Sequence, residues 1–177
     1  MLLQIRAKLT PGAQFLDAAA RIVELAHASG AAVIVNDRPD IARLAGADGV
    51  HVGQDDLPPR AVRRVTGDGA LVGLSTHTID QLTRALPEPI DYVAIGPVFG
   101  TSTKTTGYDA LGLDMIRRAA EPAGTARLPL VAIGGITLER APSVIAAGAA
   151  SAAVIGDLLA TGDPEARVRA YIERLSR

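Results

Sequence analysis

The sequence predicts an α/β protein in which parallel strands alternate with helices, and three observations predict it. Short apolar, β-branched runs recur along the chain, amphipathic or alanine-rich stretches separate them, and one helix-to-strand pattern is used twice. Most of the apolar runs are continuous rather than alternating, as strands covered on both faces require. Helices between successive strands then give right-handed crossovers and a parallel sheet.

Taken in order, residues 2–6 predict the first strand and 13–28 the first helix. The second strand, 32–36, runs into the helix-start signal Asp37-Arg38-Pro39, and the third, 49–53, into Asp56-Leu57-Pro58 and a helix over 58–65. A strand over 71–75 precedes a helix over 78–86, and a strand over 92–96 precedes a helix over 113–120. The sixth strand, 130–134, is followed by Thr137-Leu-Glu-Arg, which reads as an N-cap opening a helix over 138–147. A last strand over 152–156 and a helix over 163–175 complete the pattern. The repeated stretch is Ala45-Gly-Ala-Asp-Gly-Val-His-Val-Gly53, echoed by Ala147-Gly-Ala-Ala-Ser-Ala-Ala-Val-Ile-Gly156. Such repetition favours a closed barrel over an open doubly wound sheet. Seven βα units are visible where a barrel of this kind has eight and about 250 residues. The expectation is a TIM-type (β/α)8 barrel lacking its first βα unit, with residues 1–177 as a single domain.

Composition narrows the function classes. The chain has 177 residues, 48% of them hydrophobic, enough for one substantial core. Eighteen basic against nineteen acidic residues give a net charge of −1, and no basic block or aromatic-rich basic stripe offers a track for nucleic acid. The absence of cysteine excludes disulfides, thiolate metal sites and cysteine nucleophiles, and suits a reducing cytoplasm. The first residues turn polar too early for a signal peptide, and no apolar run approaches the roughly 20 residues needed to cross a bilayer. A soluble cytoplasmic protein is expected.

In a parallel barrel the C-terminal strand ends open onto one face. Those ends here carry Gln4, Arg6 and Lys8; Asn36 and Asp37; Gln54, Asp55 and Asp56; Ser75, Thr76 and His77; Thr101 to Lys104; Gly134 and Gly135; and Ile155 and Gly156. The loop from Gly96 to Lys104 offers backbone N–H groups, hydroxyls and a cation to an anion, and Lys104 is one of two lysines in the chain. Asp37 and Asp56 together suit Mg²⁺, which takes one or two carboxylates and completes its shell with water and phosphate oxygens. They equally suit the caps of the helices that begin at the prolines beside them. The glycine turns at 134–135 and 156 suit a phosphate, or only tight βα turns. His77 is the histidine at a strand end; His51 lies within a strand and His27 within a helix.

Together these pieces resemble the thiamine phosphate synthase family. The matching motifs are Gln4-Ile-Arg-Ala-Lys8, Val35-Asn-Asp-Arg38, Gly46 through Asp56, Gly73-Leu-Ser-Thr-His77, Gly96-Pro-Val-Phe with Thr101-Ser-Thr-Lys104, and Ala132-Ile-Gly-Gly-Ile136. They run in the family's order over nearly the whole chain. The resemblance implies condensation of a pyrimidine diphosphate with a thiazole phosphate, by departure of pyrophosphate and attack of the thiazole nitrogen on a pyrimidine-stabilised carbocation. It implies that Gln4, Arg6, Lys8, Asn36, Ser75 and Lys104 contact the pyrimidine diphosphate, with Lys104, Arg6 and Asn36 as catalytic residues. It places Mg²⁺ on Asp37 and Asp56, and the thiazole phosphate on Thr101, Thr103 and the backbone at Gly135, Ile155 and Gly156.

Two departures from the family pattern stand out. The family's first strand and helix have no counterpart, which would leave unpaired edges at the strands containing Ile5 and Ile155; such edges invite pairing with another chain, so a homo-oligomer is an open expectation. Gly156 replaces the family's usual serine, keeping a backbone donor but losing a hydroxyl. Two alternatives stand beside the synthase. One is the thiazole tautomerase of the same superfamily, with His77 moving protons; the other is a phosphometabolite-binding remnant without turnover.

Overall fold

The computed structural model describes residues 1–100 and 107–176. They cluster into two compact units: an N-terminal unit of residues 1–75 with 88–91, and a C-terminal unit of residues 76–87 with those from 92 onward.

The N-terminal unit runs β1 (Leu2–Ile5), α1 (Gly12–Ala28), β2 (Ala32–Asn36), α2 (Pro39–Ala45), β3 (Gly49–Val52), α3 (Pro59–Thr66) and β4 (Leu71–Thr76), the last residue of β4 belonging to the other unit. Its strands are parallel and lie in chain order, with Leu3 opposite Val33, Val35 opposite Val50 and Val50 opposite Val72. Register partners in a parallel sheet share a face. One face therefore carries Val33, Val35, Val50, Val52 and Val72, all fully buried, while the other carries Gln4, Ile34, Asn36, Gly49, His51, Gly73 and Ser75. The apolar runs read from the sequence as continuous thus conceal an alternation, with buried valines on one face and Gln4, Asn36, His51 and Ser75 on the other. α1 buries Phe15, Ala19 and Val23, a four-residue spacing that makes a single apolar stripe.

Asp48 and Asp91, each just before a strand, repeat one device. Their backbone N–H groups donate to Val33 O (2.9 Å) and Val72 O (2.8 Å), and their carboxylates accept the N–H of the same valines, both at 2.6 Å. His27 at 2.9 Å and Arg63 at 2.6 Å hold the two carboxylates in place. The second of these rings ties residues 88–91 to the N-terminal unit.

The C-terminal unit contains α4 (Ile79–Ala85), β5 (Tyr92–Ile95), α5 (Gly112–Thr125), β6 (Leu130–Ile133), α6 (Ala141–Ala146), β7 (Ser151–Ala153), α7 (Gly156–Leu159) and α8 (Pro164–Leu175). β5, β6 and β7 are parallel in chain order. Thr78 caps α4 by accepting the Gln81 N–H (3.1 Å), and Asp163 caps α8 by accepting that of Ala166 (3.0 Å).

Three elements differ from the sequence expectation. α5 continues through Pro122 to Thr125, because the proline falls in the last turn and buried Ala119 and Ala123 hold that turn down. Thr137 does not cap α6: its carbonyl takes the N–H groups of Arg140 and Ala141, and the helix opens only at Ala141. β7 ends at Ala153, so Ile155 and Gly156 stand at the start of α7 rather than on a strand. Among the described residues no helix is long and apolar enough to cross a membrane.

Helix exits repeat as well. Ala31, Ala47, Leu128 and Ala149 each donate a backbone N–H to the carbonyl five residues earlier. The preceding residue takes a positive φ, and it is glycine at 30, 46 and 148 but arginine at 127, with φ 58°. A side chain in this region costs about 1 kcal/mol that glycine avoids, partly offset by glycine's greater freedom when unfolded. Arg127→Gly is therefore expected to stabilise the protein by roughly 0.5 kcal/mol. A denaturant titration in which the variant unfolds at lower denaturant than the parent would refute this reading of the exit.

Candidate functional site

Three charged groups meet at strand ends of the N-terminal unit. Lys8, just beyond β1, reaches Asp37 with Nζ 2.8 Å from Oδ2. Asp37, at the end of β2, has a left-handed backbone with φ 64°, and its N–H donates to His51 O at 2.8 Å. A non-glycine residue in that region is uncommon and costs about 1 kcal/mol or more, so the surroundings must fix it. Asp56 folds back on its own loop, its Oδ2 accepting the Gly53 N–H at 2.7 Å; a Cβ on Gly53 would stand 3.1 Å from that oxygen. Burial raises the Asp56 carboxyl above the ordinary range, and the hydrogen-bonded carboxyl of Asp37 raises it further, while Lys8 pulls it back down.

These positions separate the two readings of the aspartates. α2 follows Arg38 and α3 follows Pro58, and neither helix has a side-chain cap. Both carboxylates are spent on one another's neighbourhood instead of on helix ends. Among the described residues there is no group of three or more histidine, aspartate or glutamate side chains placed to hold a metal. Two carboxylates are nevertheless the donor type that Mg²⁺ takes when a phosphate ligand and water complete its shell.

Beside this cluster lies the polar face of the sheet. Register puts Gln4, Asn36 and Ser75 on it, with Arg6 exposed just past β1. Ser75 is buried and fixed twice: its Oγ lies 2.7 Å from His51 Nε2, and its carbonyl accepts from Gln54 Nε2 at 2.6 Å. His51 and Gln54 orient Ser75, a role that sequence reasoning missed. The available signal was His51 itself, one polar residue in the run Gly49-Val-His-Val, one position short of the strand end on the face that also carries Asn36.

The C-terminal unit supplies two turns. Gly134 and Gly135 have φ 92° and 63°; a Cβ on the first would stand 2.6 Å from Pro97 Cα, and one on the second 2.5 Å from Gly100 O. Close packing alone thus requires both glycines. The loop they pack against is fastened by Val98 N–H to Ile133 O (2.8 Å) and Phe99 N–H to Gly134 O (3.1 Å), and Arg140 donates to Gly135 O (3.1 Å). Ile155, 57% exposed, and Gly156 form the second turn. Thr101, Thr103 and Lys104 lie outside the described residues.

His77 is buried, with Nδ1 2.5 Å from Gly96 O and its ring stacked on Tyr108, centroids 4.1 Å apart. Gln81 joins the two, accepting the His77 N–H at 2.7 Å and donating to Tyr108 Oη at 3.2 Å. One ring nitrogen and one ring face of His77 are engaged in holding the chain, which is poor preparation for moving a substrate proton.

The order of the motifs agrees with the family to which comparison with known proteins leads. The family described as thiamine monophosphate synthase matches residues 1–158. The chain belongs to that family. It is 42% identical over 174 residues to the thiamine-phosphate synthase of Methanoculleus marisnigri, covering 98% of this chain and 81% of that one. It is 43% identical over 176 residues to the thiamine biosynthesis bifunctional protein ThiM/ThiE of Symbiobacterium thermophilum, covering 99% of this chain but 36% of the other. Its backbone matches the thiamine phosphate pyrophosphorylase of Pyrococcus furiosus with a TM-score of 0.87 at 26% identity, over 98% of this chain and 84% of that one. The α/β, TIM-barrel-like fold expected from the sequence is the fold of this family.

Within this family member, the raised Asp56 carboxyl has a consequence for stability. Its folded pKa lies above its unfolded one, so the penalty is absent below the unfolded value and appears as pH rises through the folded value. In metal-free protein, Asp56→Asn is expected to match the parent at acid pH and to exceed it in stability at neutral pH. Urea titrations at the two pH values check this, and a variant less stable at neutral pH would contradict the placement of the carboxyl pair.

Proposed function

We propose that the chain is a thiamine phosphate synthase, joining 4-amino-5-hydroxymethyl-2-methylpyrimidine diphosphate to 4-methyl-5-(2-hydroxyethyl)thiazole phosphate, with thiamine phosphate and pyrophosphate as products. The observation that carries this reading is the pairing of Asp37 and Asp56, neither used as a helix cap, with Lys8 against them. Such a trio is unfavourable for a purely structural purpose and suited to a diphosphate that arrives with a divalent cation.

In this reading Asp37 and Asp56 hold Mg²⁺. When bound, the ion supplies neutralisation of the charge that builds on the departing pyrophosphate. Arg6 and Lys8 bring fixed positive charge to the same phosphates, and a preorganised cation needs no rearrangement as the C–O bond breaks. Gln4, Asn36 and Ser75 receive the pyrimidine, Ser75 being held in one orientation by His51 and Gln54. The electron pair of the breaking bond leaves with pyrophosphate, and the thiazole nitrogen supplies the pair for the new C–N bond. That nitrogen carries no proton, so no general base is required. The backbone at Gly135, Ile155 and Gly156 takes the thiazole phosphate. By their place in the family motif, Thr101 and Thr103 join it, and Lys104 serves the pyrimidine diphosphate.

The purified chain, given both substrates, is expected to form thiamine phosphate only when Mg²⁺ is present. Asp37→Asn should lower the rate by about a hundredfold or more, the scale of losing a group that stabilises developing charge. Equal turnover in a metal chelator would overturn the reading.

A further inference from the structure

The turns at Gly134–Gly135 and Ile155–Gly156 are joined through Asp157, which no step described above uses. Its carboxylate, 9% exposed, accepts the Leu138 N–H (3.1 Å), the Arg167 Nε and Nη2 (2.9 and 3.1 Å) and the Tyr171 hydroxyl (2.5 Å). Asp157 directly follows Gly156, and Leu138 lies three residues beyond Gly135. One side chain therefore spans both turns. Its two side-chain partners sit four residues apart on α8, so they share one helix face, and Arg167 also reaches Glu139 at 3.5 Å and stacks 5.9 Å over the Tyr171 ring. α8 lies beyond residues 1–158, which the family match covers.

The charge arrangement needs a reason. A carboxylate one residue from Gly156 opposes any anion bound at that turn, and hydrogen bonding to Arg167 keeps it ionised, below the ordinary range. Arg167, with its side chain 17% exposed, cancels that charge from the side while leaving the carboxylate free to hold Leu138. The guanidinium so placed lets Asp157 keep the connection between the turns while offsetting its charge beside a phosphate.

We infer that Asp157, neutralised by Arg167 and steadied by Tyr171, is a positioning residue that fixes the two turns as a phosphate-binding edge for the thiazole phosphate. The inference rests on the synthase reading and assigns the specificity of its second substrate to α8. The same geometry predicts a split in the kinetics rather than a general loss. Arg167→Met leaves an unpaired anion beside the phosphate, and is expected to raise KM for thiazole phosphate by about tenfold, the scale of one hydrogen bond to a charged group. KM for the pyrimidine diphosphate and kcat should stay within about twofold. Arg167→Lys, which retains the charge, should recover part of the loss, and Tyr171→Phe, which preserves the ring packing, should show a smaller rise of the same kind.

Steady-state kinetics of these variants, with direct calorimetric titration of thiazole phosphate into each, test the inference. Unchanged KM and unchanged binding in folded Arg167→Met and Tyr171→Phe would overturn it, as would equal loss for both substrates, which marks a structural role alone. If the parent shows no turnover, the synthase reading fails by itself; weaker thiazole phosphate binding by Arg167→Met than by the parent still supports the anchor, and equal or absent binding rejects it.

Discussion

Two carboxylates brought together with one lysine impose the central constraint on this protein. Asp37 and Asp56 repel one another, burial penalises the second, and a single ammonium at 2.8 Å from the first offsets only part of the charge. Everything around the trio keeps it from relaxing. Asp37 is locked in a left-handed backbone by its bond to the strand beside it, and Asp56 is folded onto the Gly53 amide. A protein that needed only helix caps would have turned both side chains to α2 and α3. Retaining an unresolved negative charge makes sense where a divalent cation is part of the bound state, and where the leaving group is itself an anion that needs that cation.

The rest of the N-terminal unit supports the same conclusion by its alternation. Valines fill one face of the sheet with fully buried side chains, so the other face is free to carry Gln4, Asn36, His51 and Ser75 without cost to the core. In the C-terminal unit the equivalent effort goes into backbone. Glycines at 134 and 135 admit close packing of the 97–100 loop, and Asp157 replaces a floating turn with one tied to α8. In the proposed reading each unit offers rigid donors to a different anionic group, one to a diphosphate and one to a monophosphate.

Much of this was legible in the residues. Helix and strand periodicity located the seven strands of the described residues to within a few positions, since β-branched runs bounded by glycine leave little choice, and the strand ends include Lys8, Asp37 and Asp56. Other parts were hidden for physical reasons. Asp37 and Asp56 sit beside prolines that mark helix starts, so local pattern alone supports capping as well as metal binding; only the hydrogen-bond partners show that neither carboxylate caps a helix. The bond between His51 and Ser75 depends on strand register, which a linear reading does not contain. Thr137 looked like a cap because the competing demand on its neighbour Leu138 comes from Asp157, nineteen residues away. The shortened β7 has a local cause: the backbone at Ile155 leaves the extended region with ψ −62°, which stops the ladder at Ala153.

The measurement that bears most directly on this account is calorimetric titration of pyrophosphate into the purified chain, with and without Mg²⁺, in buffers of differing ionisation enthalpy. The account predicts that tight binding requires Mg²⁺, and that at mildly acidic pH it releases protons, because the cation displaces the proton favoured on the raised Asp56 carboxyl. Binding of equal strength without Mg²⁺, or binding unchanged when both Asp37 and Asp56 are replaced by asparagine, would contradict it.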